Sequence, residues 1–355
     1  MKPAIEEWVR KHPLEAFFCL AVIICFGTLF PAIYLLQRDT TLGQILGYCL
    51  GKMGAYSPVI AGILTVRTIQ PDRRRVSFVG RLKISLPVWI VAVAINIASL
   101  KLTVPPTVPL TGLILLSLPV ALLPAWVIAS AVSGADGVKQ MLATLVKPKG
   151  RVVYYVIAFL TFPAIAVLGS GITNIMNGRA LLPQATAGAD LALTIVVTFC
   201  SVMLFGGGIN EESGWRGFAQ RRLQMKYSPL VAVLVLWFLM VIWHIPNDIL
   251  QYQQGGYWLV RIALYPFITI LFSWIYNRTN GSILAVAVFH ASMNSMNPLM
   301  GILPITTAGN VLLVSFAMCV VVFDRMWLRL PGDHPAVHQD AVTTVFTGSS
   351  YQPVA

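Results

Sequence analysis

Residues 191–222 read LALTIVVTFCSVMLFGGGINEESGWRGFAQRR. The first half is an unbroken apolar run, and the second half carries two adjacent carboxylates, Glu211 and Glu212, with Arg216 one helical turn on. An apolar run near 188–208 has the length of a bilayer-crossing helix, which takes about 20 residues. Working outward, similar runs fall near 16–36, 43–65, 84–103, 109–132, 152–175, 229–246, 257–276, 282–300 and 308–327. Hydrophobic residues make up 57% of the 355-residue chain and charged residues only 11%, against about 25% charged in a soluble domain. The apolar content, roughly 200 residues, supplies about ten spans and leaves little for an aqueous domain. Soluble enzymes, collagen-like chains and disordered chains are excluded. The expected fold class is all-α: a polytopic transmembrane helix bundle of about ten spans.

The charges orient the bundle. Lysine and arginine number 25 against 13 acids. They concentrate in alternate loops: Arg67, Arg73, Arg74, Arg75, Arg81 and Lys83 in the second, Lys139, Lys147, Lys149 and Arg151 in the fourth, Arg216, Arg221, Arg222 and Lys226 in the sixth. The odd loops are poor in basic residues. This alternation puts both termini in the cytoplasm and turns the basic excess into a topology rather than a nucleic-acid surface. A bacterial plasma membrane is the expected setting. Pro246 reads as the end of the seventh run, just past His244. The organisation expected is N-terminal transmembrane helices over 1–187, a helical core over 188–305, a last span over 306–330 and a flexible cytoplasmic tail over 331–355. The five cysteines lie in apolar stretches with no C-x-x-C, which fits buried thiols better than disulfides or a zinc knuckle.

Ionisable groups inside spans cost roughly 2.5–3.5 kcal/mol on insertion scales and are functional candidates. In the first half the main one is Lys52, in GYCLGKMGAY, which a snorkelling or helix-capping role also explains. The second half holds Glu211, Glu212 and Arg216, then His244 in WFLMVIWHIPND, then His290 and Asn294 in NGSILAVAVFHASMN. Glu212 and Arg216 are spaced to pair on a helix, as are His290 and Asn294 to share a face. Glu211 is rotated about 100° from Glu212, so one carboxylate can face a cavity while its neighbour is tied to the arginine. Each feature alone has a plain explanation: a solvated ion pair, an interfacial histidine, an interhelical amide. Together they suit peptide hydrolysis, with Glu211 as base for a water, His244 positioning it, and His290 and Asn294 donating to the oxyanion. Zinc is a possible alternative, but H-E-x-x-H is absent.

The ordered set Glu211-Glu212-x-x-x-Arg216, a histidine ending a membrane helix, and His290-x-x-x-Asn294 resembles the three motifs of the CPBP family of CAAX proteases and bacteriocin-processing or immunity (Abi) proteins. The resemblance covers about 188–305. It implies an intramembrane endopeptidase, historically classed as a metalloprotease, in which Glu211 activates water, Glu212 and Arg216 form a supporting pair, His244 assists, and His290 and Asn294 form the oxyanion site. It favours a glutamate-dependent mechanism with no metal or cofactor. The partners implied are the bilayer and a membrane-anchored or lipidated peptide or protein substrate, with no nucleic acid. The second motif usually has phenylalanine where this chain has Met240, which bears on pocket shape. A non-catalytic immunity or scaffold protein of the same family and a proton-coupled transporter are the alternatives. If the helices were straight, Glu211 and His244 would sit at different depths. Convergence therefore requires the sixth span to continue through Glu211 to about Arg221, or the seventh to tilt or shorten, either way placing the site in a cavity open to the cytoplasm.

Overall fold

The computed structural model describes residues 2–38, 40–71, 77–180, 189–251, 257–296 and 306–337. Arg73, Arg74 and Arg75 of the second loop, and the tail expected beyond 337, lie outside the described residues. The first half contains α1 (Lys2–Lys11), α2 (Pro13–Leu36), α3 (Thr41–Ala55), α4 (Ser57–Ile69), α5 (Phe78–Thr103), α6 (Leu110–Val120), α7 (Leu122–Ser133), α8 (Asp136–Val146) and α9 (Val152–Met176). The second half contains α10 (Ala189–Phe205), α11 (Gly208–Gly214), a π-helical segment (Trp215–Gln220), α12 (Arg221–Lys226), α13 (Pro229–Gln251), α14 (Tyr257–Arg278), α15 (Ile283–Ser295) and α16 (Thr307–Phe323).

All ten apolar runs contribute helix, and no strand occurs among the described residues. Six segments are long and apolar enough to cross a membrane: Pro13–Leu36, Phe78–Thr103, Leu110–Ser133, Val152–Met176, Leu191–Lys226 and Pro229–Asp248. The pair α3–α4, bent by 57°, makes a seventh. The expected count of about ten is not confirmed, because α15 and α16 have only 13 and 17 residues, short of the roughly 20 that a span needs. The protein is a polytopic helical bundle. Large apolar side chains such as Ile23, Phe30, Leu86, Phe159, Leu193 and Phe238 face outward, which water would penalise and acyl chains do not.

Two expectations about helix ends need correction. The run 43–65 is not straight: Pro58 starts α4 afresh after Tyr56. The seventh run does not end at Pro246, since α13 continues through it to Gln251. A proline inside a membrane helix is tolerated when freed backbone groups find other partners. Close by, the carbonyl of Trp243 accepts from the Cys25 thiol of α2 at 3.4 Å and ties this part of α13 to α2. The helical segment that is long and apolar enough to cross a membrane runs Leu191–Lys226, so it continues through Glu211 rather than ending there.

Two apolar cores meet at the second-half helices. One joins α1, α2, α4, α7 and α8 to residues 209–243 and the start of α15. The other packs α9, α14 and α16 against α13 and the opposite side of α15. Phe17 of α2 stacks on Phe218 at 4.9 Å and meets Trp215 edge-on at 5.5 Å. Gly214 lies against the backbone of Pro58, so close that a Cβ there would sit 2.3 Å from the proline's carbonyl carbon. Gly214→Ala is therefore expected to push α11 off α4 and destabilise the protein by about 1–3 kcal/mol, the usual cost of overpacking. Thermal unfolding in detergent micelles measures this, and an unchanged midpoint would contradict the contact.

Candidate active site

The site begins where α10 breaks. Gly207 has φ +123°, a region closed to most side chains. Its N–H donates to Asn210 Oδ1 at 2.8 Å, and Asn210 Nδ2 donates to the Ala55 carbonyl at 2.8 Å. The chain is thus tied to the α3–α4 bend while helix restarts at Gly208, with Glu211 in its first turn, where a negative charge is favoured by the helix dipole. Glycine at 207 has a second reason. A Cβ there would lie 2.1 Å from His290 Nε2, so the imidazole rests directly on backbone.

Glu212 is wholly buried. Its Oε1 accepts from His290 Nδ1 at 2.7 Å, and its Oε2 pairs with Arg216 Nη1 at 2.9 Å. Since an ionised carboxylate only accepts, the hydrogen is on Nδ1, and Nε2 is the nitrogen turned towards Gly207. Arg216 is also fully buried. Its guanidinium lies 4.6 Å from the centre of the Phe272 ring and 3.9 Å from Met240 Sδ. Phe272 meets the His290 ring edge-on at 5.3 Å, so one aromatic face confines both partners of Glu212. The π-helical segment carries Arg216 and buries all six of its residues, Trp215 to Gln220. Such insertions recur at functional sites because they rotate side chains out of α register.

Asn294, one turn after His290, donates from Nδ2 to the Gly206 carbonyl at 3.0 Å. Both α15 residues therefore engage the same break in the facing helix, one through Glu212 and Gly207 and the other through Gly206. His244 Nδ1 donates to the Met240 carbonyl at 2.7 Å, which presents Nε2 as the other ring nitrogen. Its ring lies against Trp243 and, at 5.4 Å, Tyr265. Trp243 Nε1 in turn donates to Ser57 Oγ at 2.7 Å. Met240, which departs from the family pattern, touches Arg216 with its thioether and orients His244 with its carbonyl. Glu211, His244 and His290 retain 7, 9 and 6% of their surface, whereas Glu212 and Arg216 retain none.

Glu212, Arg216 and His290 are thus bonded directly, Asn294 joins them through Gly206, and His244 joins through Met240. The sequence reading missed Phe272, Asn210 and Ser57. Asn210 had a legible signal, a side chain three residues after a glycine, at a capping position. Phe272 had none, being one aromatic among many in an apolar run. Among the described residues no three His, Cys, Asp or Glu side chains converge to hold a metal ion, and Glu212 and His290 Nδ1 already satisfy each other.

The two glutamates differ energetically. Glu212→Gln leaves Arg216 as an uncompensated buried cation, and breaking a buried pair in this way costs about 3–5 kcal/mol. Glu211→Gln is expected to change stability less, because Glu212 is the carboxylate bonded to both Arg216 and His290. Thermal unfolding of both variants tests the division of roles, and equal losses would contradict it.

Residues 192–296, which hold the whole site, match the protein family described as Type II CAAX prenyl endopeptidase Rce1-like. The chain is also 25% identical over 181 residues to CAAX prenyl protease 2 of Methanococcus maripaludis. That alignment covers 48% of this chain and 65% of the relative, just under two thirds of its length. The matched region holds the same three motifs whose order resembles the CPBP family.

Proposed function

We propose that the protein is an intramembrane endopeptidase that hydrolyses a peptide bond with a water activated by Glu211. The observation that carries this reading is the double engagement of Glu212 by Arg216 and His290. It commits Glu212 to holding the two helices together, and we assign the chemistry to the adjacent carboxylate, about 100° around the helix. Glu211 takes a proton from water, and the hydroxide attacks the scissile carbonyl carbon. His244 orders that water through Nε2. The oxyanion is met by His290 Nε2–H and an amide hydrogen of Asn294. Because Nδ1 already donates to Glu212, donation from Nε2 as well uses the doubly protonated ring. Collapse of the tetrahedral intermediate breaks the C–N bond, and Glu211 returns its proton to the leaving amine. No step needs a metal.

The substrate proposed is a membrane-anchored or lipidated peptide or protein. An apolar groove of about 400 Å³ runs between α5, α7 and α10, lined in part by Val91, Ile95, Phe199 and Met203. It ends at Met203–Leu204, one turn before the Gly206–Gly208 break, and suits an apolar chain. The name of the archaeal relative makes a prenylated C-terminal peptide the first substrate to try. We also propose that both termini are cytoplasmic. Purified protein is expected to cleave such a peptide, with Glu211→Ala and His290→Ala each lowering kcat/KM by at least about 100-fold, the scale of a lost base or oxyanion donor. Undiminished cleavage by either variant would overturn the assignment. Activity that depends on stoichiometric zinc would overturn the metal-free mechanism.

A further inference from the structure

Lys52 takes no part in the chemistry above, yet it sits inside the bilayer-spanning part of the chain. It lies in the last turn of α3, four residues before the Tyr56 bend. Its ammonium is 5.6 Å from the centre of the Tyr48 ring and 6.0 Å from that of Phe205, within the range of cation–π attraction. No carboxylate lies within ion-pair distance of it among the described residues.

This surrounding is built. Tyr48 Oη donates to Asn96 Oδ1 of α5 at 2.8 Å, and Asn96 Nδ2 donates to Ser117 Oγ of α6 at 3.0 Å. Asn96 and Ser117 are both buried, so the aromatic wall beside Lys52 is fixed by hydrogen bonds across three helices. On the other side Phe205 is the last residue before the glycine break. The chain just after Lys52 is fastened to that same break: the Ala55 carbonyl accepts from Asn210, and the Tyr56 hydroxyl donates to the Leu204 carbonyl. The ammonium is therefore held against the residue that precedes Gly206 and Gly207, on which Asn294 and His290 rest.

We propose that Lys52 is an anion-binding residue that holds a carboxylate or phosphate group beside the Gly206–Gly208 break, so that the site selects ligands carrying negative charge next to an apolar body. Two aromatic faces stabilise a cation but leave its charge unmatched. Lys52 is only partly buried, and in a low-dielectric setting the attraction for one anion is strong. The carboxylate of a peptide terminus and the phosphate of a lipid headgroup share this chemistry. The proposal rests on the endopeptidase reading only for the choice of peptide.

The test is a binding measurement, so it stands apart from turnover. Full-length protein carrying Glu211→Gln is placed in nanodiscs of phosphatidylcholine, with or without phosphatidylglycerol. A dansyl-labelled S-farnesyl heptapeptide is titrated as the free C-terminal acid and as the C-terminal amide. The acid is expected to bind about tenfold tighter, the scale of one charge-assisted hydrogen bond. Lys52→Met is expected to erase that difference, and Lys52→Arg to restore it. A role for Lys52 confined to the α3 helix end would change acid and amide binding equally. A Lys52-dependent response to phosphatidylglycerol, with acid and amide alike, assigns the anion to the lipid phosphate. If Lys52→Met alters neither the acid–amide ratio nor the lipid response, or if wild-type Lys52 protein shows neither, the proposal is overturned. Intact selectivity in a protein whose Glu211 form cannot cleave would count against the protease reading alone.

Discussion

A carboxylate sealed inside a membrane bundle must be matched or it will not remain ionised, and Glu212 is matched twice. One oxygen pairs with Arg216 on its own helical segment and the other with His290 on α15. Desolvating a carboxylate and a guanidinium costs several kcal/mol per ion, which only close geometry and further hydrogen bonds offset. The surrounding structure supplies that geometry. The Gly207 backbone leaves room for the imidazole, the π-helical segment carries the arginine, and Phe272 covers the guanidinium and the histidine together. Loss of any one of these supports would loosen the others, because they share a single carboxylate.

The N-terminal helices are part of this arrangement. The α3–α4 bend places the Ala55 carbonyl and the Tyr56 hydroxyl on the 204–210 stretch, and Pro58 lies under Gly214. Ser57 fixes Trp243 beside His244, and Cys25 meets the carbonyl of that tryptophan near Pro246. The matched family region, residues 192–296, is thus braced from outside by residues that the match does not include. Interhelical hydrogen bonds of this kind contribute modestly one by one. Their effect here is positional, since they hold a helix break that would otherwise expose unpaired backbone to lipid.

Much of the site was legible from spacing. Glu212 and Arg216, four apart, pair as expected, and His290 and Asn294, four apart, do address one facing segment. What spacing could not provide was the partner across the gap. The i,i+4 rule joins Glu212 to Arg216 but says nothing of His290, 78 residues away. Nor does it say that His290 bonds a carboxylate and Asn294 a backbone carbonyl. Pro246 misled for a local reason: proline removes one hydrogen bond wherever it stands, but only neighbouring helices decide whether the helix survives the loss. The number of apolar runs was legible too, yet bends at Tyr56 and short helices such as α15 depend on packing rather than on composition.

By itself the sequence determined that this chain is a polytopic helical membrane protein, and it singled out two adjacent glutamates, an arginine, two histidines and an asparagine as candidates for its chemistry. Those conclusions follow from composition and periodicity, which act through the free energy of placing apolar and ionisable groups in lipid. Only the tertiary structure decided that Glu212 bonds both Arg216 and His290, which histidine nitrogen faces the glycine break, and that Phe272 and the α3–α4 bend pack against these residues. These depend on distances between segments far apart in the chain, and no local pattern encodes them.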